Sequence, residues 1–148
     1  MTAPLVHVVN GANLGRLGTR EPEIYGSSTY DDLVRACHEE GEALGLRVRV
    51  EQSDDEGGMI RLLHEAADAA DGVVLNAASW THYSIAVRDA CALLGVPFVE
   101  VHLSNTAARE PFRHTSLTAP LALGVVAGFR LDSYRLALRG LAPHLRDG

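Results

Sequence analysis

The sequence predicts an α/β fold, an open, doubly wound, five-stranded parallel sheet with helices on both faces, on three observations. Short apolar runs alternate with helix-periodic segments along the whole chain. The runs at residues 5–9, 72–76 and 96–101 are apolar almost throughout, as strands covered on both faces must be. The polar loops follow the strands, at the carboxyl ends where such sheets bind ligands. With five strands, the flavodoxin-like arrangement is the most economical.

Each element has its own local reason. Residues 5–9 (LVHVV) read as a buried strand. Residues 10–26 (NGANLGRLGTREPEIYG) carry no periodicity, and seventeen such residues are long for a connection inside a compact domain. The stretch holds two Asn, two Arg, two Glu and a Tyr, with four Gly and one Pro to set its bends, so it reads as a working loop. Ser28 or Thr29, with Asp31 and Asp32, starts a helix that runs through Leu33, Val34, Cys37 and Leu44 and closes at Gly45. Leu46, Val48 and Val50 alternate with Arg47, Arg49 and Glu51, the pattern of a strand with one wetter face near a sheet edge.

A polar loop at residues 53–57 leads to a second helix with Met59, Ile60, Leu62, Leu63, Ala66 and Ala67, and residues 72–76 (GVVLN) form the third strand. After the loop AASWTHY, the spacing of Ile85, Ala86, Val87, Ala90, Leu93 and Leu94 gives a third helix ended by Gly95. Residues 96–101 are the fourth strand. Residues 102–120 are polar and irregular with a short helical turn near 110–114, residues 121–129 hold the fifth apolar run, and 131–145 the last helix.

Composition narrows the function. The 148 residues, 47% of them hydrophobic, make one domain over residues 1–148 with a substantial core. Apolar runs fall far short of a membrane span and the N-terminus lacks the pattern of a signal peptide, so a soluble cytoplasmic protein is expected. A net charge of -6 argues against a nucleic-acid surface. All thirteen basic residues are arginine, and those in polar loops make anion recognition a live reading. Cys37 and Cys91 fall in helical patterns without paired spacing and read as small buried groups.

The loops exclude several chemistries. A phosphate-binding P-loop needs a lysine that the chain lacks, and no G-x-G-x-x-G leads into a helix. A phosphoacceptor domain needs acids where the chain has Asn10 and Asn76. The histidines are not at metal-ligand spacing and there is no G-x-S-x-G elbow. What remains is a polar, metal-free set, Asn13, Arg20, Tyr25, Asn76, His82, Glu100, His102, Arg109 and Arg113, suited to proton transfer on a small, anionic, hydroxylated substrate. A tyrosine base must be favoured as phenolate by about 3 to 4 kcal/mol at neutral pH. Arg20, five residues before Tyr25, is placed to do that, and Arg113 could add a second cation. The bland alternatives are a Tyr25 that plugs a helix entrance, a His102 bonded to a core carbonyl, and Arg109 and Arg113 on a solvated face.

NGANLGRLGTREPEIYG, QSDDEG, NAASWTHYSIAVRDA, and VEVHLSN followed by REPFRH and TAP resemble type II 3-dehydroquinate dehydratase, in the same order and with the same loop lengths, over residues 6–141. The resemblance implies a cofactor-free shikimate-pathway lyase, assembled as a dodecamer of four trimers. It implies that Tyr25 removes a proton from C2 beside the ketone while Arg20 holds it as phenolate. Asn13 would orient a water that stabilises the enolate, and His102, set by Glu100, would protonate the departing C1 hydroxyl. Asn76, His82 and Arg113, with the amides of Leu103 and Ser104, would bind substrate, and Asp89 would arrive from a neighbouring subunit. Arg20 and Tyr25 would sit on a closing loop.

The chain departs from the usual pattern at Ala12, Asp54, Ala78, Ser79, Ala107 and Pro111 and at the polar start of the last helix. Side chains at 78 and 79 would narrow the pocket. Two alternatives therefore stand: the same elimination on an amino-dehydroquinate of secondary metabolism, or a non-catalytic scaffold of the same fold.

Overall fold

The protein is described by a computed structural model that covers residues 2–19 and 21–145. Five strands, β1 (Leu5–Asn10), β2 (Arg47–Gln52), β3 (Gly72–Asn76), β4 (Phe98–His102) and β5 (Gly124–Ala127), form one parallel sheet in the order β2-β1-β3-β4-β5. The helices are α1 (Pro22–Tyr25), α2 (Tyr30–Ala43), α3 (Glu56–Ala69), α4 (Ile85–Ala92) and α5 (Leu131–Leu141). The expected doubly wound architecture is thus present, with β2 at an edge. No helix among the described residues is long and apolar enough to cross a membrane.

The sheet divides the core in two. Val6, Val8, Val74, Val99 and Val101 pack with Leu33 and Cys37 of α2 and with Tyr134, Leu138 and Leu141 of α5. Val9, Val73, Leu75 and Phe98 pack with Met59 and Leu63 of α3 and Val87 and Cys91 of α4. Alternate residues of one strand therefore feed opposite layers, and each fully buried aliphatic side chain contributes about 1.5–3 kcal/mol. Burial pushes both cysteine thiols up to about 12, so they serve as inert core groups.

Local signals fix the helix starts. Thr29 caps α2 by accepting the Asp32 N–H at 3.2 Å while its own N–H donates to Asp32 Oδ2 at 2.9 Å. Asp55 accepts the Gly57 N–H at 2.8 Å to start α3, and Ser84 accepts that of Val87 at 3.0 Å to start α4.

The ends differ from expectation for identifiable reasons. Pro97 has no N–H for the ladder, and β4 starts at Phe98 instead of residue 96. Pro143 cannot continue a helix, and α5 ends at Leu141, followed by a 3-10 turn. The fifth apolar run is strand only over its middle. Ile85 and Leu93, assigned by periodicity to the apolar stripe, are exposed, because the buried face of α4 is set by Val87, Ala90 and Cys91, and two residues along a helix is a turn to the far side.

Candidate active site

Strand order reverses between β1 and β3, where a ligand site is expected. A cavity of about 270 Å³ lies there, lined by the loops after β1, β3 and β4. The loop at residues 53–57 does not line it, but its Asp54 accepts from the Asn13 backbone.

Asn10 of β1 stands beside Asn76 of β3, and the two loops leave in contact. The Gly11 N–H donates to the Asn76 carbonyl at 2.8 Å, and a Cβ on Gly11 would come within 2.8 Å of the Ala77 carbonyl, so only glycine fits this approach. Asn13 follows in the left-handed region (φ 72°), with its N–H donated to Asp54 Oδ1 at 2.8 Å. That bond and one from Gln52 Nε2 hold the Asp54 carboxyl below the usual carboxylate range.

The expected irregular loop carries two short turns, a 3-10 turn at Leu14–Arg16 and α1, which Pro22 opens and Tyr25 closes. The Tyr25 hydroxyl accepts a hydrogen bond from Arg109 Nη1 at 2.6 Å, and the guanidinium carbon lies 5.0 Å from the ring centroid. A guanidinium only donates, so the phenolic oxygen is the acceptor in this bond. Arg20, expected in that role, lies outside the described residues.

At the end of β3, Asn76 Nδ2 donates to the Tyr134 hydroxyl at 2.9 Å, and that hydroxyl donates to Asn10 Oδ1 at 2.6 Å. Burial pushes the Tyr134 phenol far above its usual value, so it keeps its proton. Asn76 Oδ1 accepts the Ala78 N–H at 3.1 Å. Ala78 has φ 52°, a conformation that costs a residue with a Cβ about 1–2 kcal/mol. Ala78 and Ser79 both line the cavity. His82 Nδ1 donates to the Thr115 carbonyl at 2.8 Å, and its ring stacks on that of His102 at 6.4 Å between centroids.

The end of β4 carries the most polar part of the site. Glu100 and His102 share a strand face, and His102 Nε2 donates to Glu100 Oε2 at 2.8 Å. Glu100 is 2% exposed. Burial pushes its carboxyl up, but hydrogen bonds from His102, Thr118 and Ser116 outweigh this and leave it below the usual range. Leu103 and Ser104 line the cavity. Arg109, far from a solvated face, has an 11% exposed side chain; its Nη1 also reaches Ser104 Oγ at 3.3 Å, and its carbonyl accepts from His114 Nε2 at 2.9 Å. Arg113 lines the cavity and pairs with Glu110 at 3.0 Å, while Arg109 bonds Tyr25.

Of the residues expected from the sequence, Asn13, Tyr25, Asn76, His82, His102, Leu103, Ser104 and Arg113 line one cavity with Glu100 behind His102. Asp89 does not line it; its side chain is exposed and pairs with Arg88 at 3.0 Å. Sequence reasoning missed the tie from Arg109 to Tyr25 and the hydroxyls of Thr81, Ser116 and Thr118. It found Arg109 as a loop arginine, but no pattern distinguishes the hydroxyls. Among the described residues no group of three or more His, Cys, Asp or Glu side chains could hold a metal ion.

A phenol under a guanidinium and an imidazole backed by a carboxylate, at the switch point of a doubly wound sheet, are suited to acid–base chemistry. The sequence profile of dehydroquinase class II matches residues 4–142, and the chain belongs to that family. It is 59% identical over 141 residues to a 3-dehydroquinate dehydratase of Salinispora arenicola, covering 95% of this chain and 99% of that one. It is 51% identical over 145 residues to a 3-dehydroquinate dehydratase of Mycobacterium tuberculosis, covering 98% and 99%. The crystal structure of type II dehydroquinase from Propionibacterium acnes superposes with a TM-score of 0.92 at 49% identity, over 96% of this chain and 98% of that one.

Proposed function

We propose that the protein dehydrates 3-dehydroquinate to 3-dehydroshikimate by anti elimination through an enolate. The observation that carries this reading is that Tyr25, bonded to Arg109, and His102, bonded to Glu100, line the same small cavity. Tyr25 as phenolate takes a proton from C2, and the electron pair moves into the ketone to give the enolate. Asn13 orients a water toward the enolate oxygen. As the enolate collapses, the C1–O bond breaks and His102 gives its proton to the departing hydroxyl, releasing water. Tyr25 ends protonated and His102 neutral, and exchange with solvent resets both.

Asn76, His82 and Arg113 with the amides of Leu103 and Ser104 bind the hydroxyls and carboxylate of the substrate. In this reading Arg20 holds Tyr25 as phenolate, on a loop that closes over the substrate. Asp89 enters the pocket of a neighbouring copy in a dodecamer of four trimers, in the cytoplasm. The reaction uses no cofactor.

Enone absorbance on mixing purified protein with 3-dehydroquinate tests the reaction, and a strong rise is expected. Silence there with turnover of an amino-dehydroquinate would assign the second substrate, and silence on both from folded protein would leave a scaffold. Light scattering tests the assembly, with twelve chains expected.

A further inference from the structure

Glu100 is almost completely buried, and an isolated carboxylate in such a place would take up a proton. Here four donors surround it. Oε1 accepts from Thr81 Oγ1 at 3.2 Å and from Thr118 Oγ1, Oε2 accepts from His102 Nε2 at 2.8 Å, and Ser116 Oγ donates between the two at 2.9 Å and 3.0 Å. A carboxylate has about four lone-pair sites, so a carboxyl proton would have to displace one of these donors. The three hydroxyls are also within hydrogen-bonding distance of one another.

They come from two loops fastened together. Thr81 lies in the 3-10 turn after β3, and Ser116 and Thr118 lie in the segment after β4. The Leu117 N–H donates to the Thr81 carbonyl at 2.8 Å, and the Ala119 N–H to Ser116 Oγ at 3.0 Å. The titratable and charged groups facing the pair from other elements are Cys91 of α4, whose thiol stays neutral, His82, stacked on His102, and, lining the cavity with His102, Tyr25, Arg109 and Arg113.

We propose that Thr81, Ser116 and Thr118 are positioning residues: their hydroxyls hold Glu100 as a carboxylate, which fixes His102 with Nε2–H toward Glu100 and leaves Nδ1 for the cavity. The consequence for catalysis rests on the reading that His102 is the acid. With the cage complete, Glu100 keeps its charge beside the imidazole and takes up a proton only at lower pH. Removing a donor raises the pH at which Glu100 protonates and the charged partner of His102 is lost.

Thr118→Val removes one hydroxyl at nearly constant shape and Thr118→Ser keeps it, so the pair separates the bond from the packing. In the whole protein, ¹⁵N NMR of His102 is expected to show the Nε2–H tautomer when neutral. The acid limb of the kcat profile is expected to rise by about half a pH unit or more in Thr118→Val, with kcat falling several-fold, KM little changed, and both features restored in Thr118→Ser. An Nδ1–H tautomer, an acid limb that does not move in folded Thr118→Val, or a loss uniform across pH that serine fails to rescue would overturn the proposal. If valine prevents folding, Ser116→Ala removes another donor and is read the same way. An unmodified chain inactive on 3-dehydroquinate would fail the functional reading instead, and the NMR tautomer would still decide the cage.

Discussion

His102 and Tyr25 line the same cavity, yet sheet and loop hold them in different ways. His102 ends a central strand, its partner is two residues back on the same face, and hydroxyls from two fastened loops back that partner. Tyr25 closes a four-residue helix in the β1 loop and meets Arg109, a residue 84 positions away in the loop after β4. The proposed acid is thus placed by strand register and a local network, and the proposed base by the docking of two loops. Register survives most single substitutions, whereas a docking contact fails with one side chain.

The sharpest way to break this comparison is at the base itself. Tyr25→Phe keeps the ring under the guanidinium and removes the reacting oxygen, so kcat should fall by on the order of 10³-fold or more while binding of a substrate analogue by calorimetry changes little. Equal loss of both would show that the phenol only shapes the pocket.

Arg109→Met comes next. It should lower kcat by about 10²-fold through the base alone. The His102 ¹⁵N titration should remain that of the unmodified protein, and a shift there would show that the two sides are not independent. Asp54→Ala, which leaves the Asn13 N–H without its acceptor, should cost about 1 kcal/mol, read as a several-fold loss in kcat/KM.

The smallest effect lies outside the cavity. His7 is buried in β1, and burial, aided by Arg49, lowers its pKa from the usual 6.5. The folded chain therefore keeps this ring neutral at a pH where the unfolded chain already binds a proton. Its contribution to stability is complete above about pH 6.5 and is lost as pH falls from there toward the folded value. Urea midpoints between pH 7 and pH 5 should fall less steeply in His7→Phe than in the unmodified protein.

Sheet and helices were legible because apolar runs and helical spacing act locally. The run 72–76 is β3 residue for residue, and the start of α2 needed only its cap to decide between Ser28 and Thr29. Two of the limits that shifted did so at Pro97 and Pro143, where a missing N–H overrides the pattern around it. The Glu100–His102 pair was legible in the same local way, since a spacing of two puts both on one strand face. The Arg109 contact was not, because it depends on how two separate loops meet. Nor were Thr81, Ser116 and Thr118, whose residue types are common and whose function arises only where the folded loops bring three hydroxyls to one carboxylate.

The most direct measurement uses 3-dehydroquinate carrying deuterium at one of its two C2 positions, with NMR of the product. A base on the β1 loop and an acid at the end of β4 predict loss of the hydrogen anti to the departing hydroxyl and retention of the other. Loss of the syn hydrogen would contradict the account.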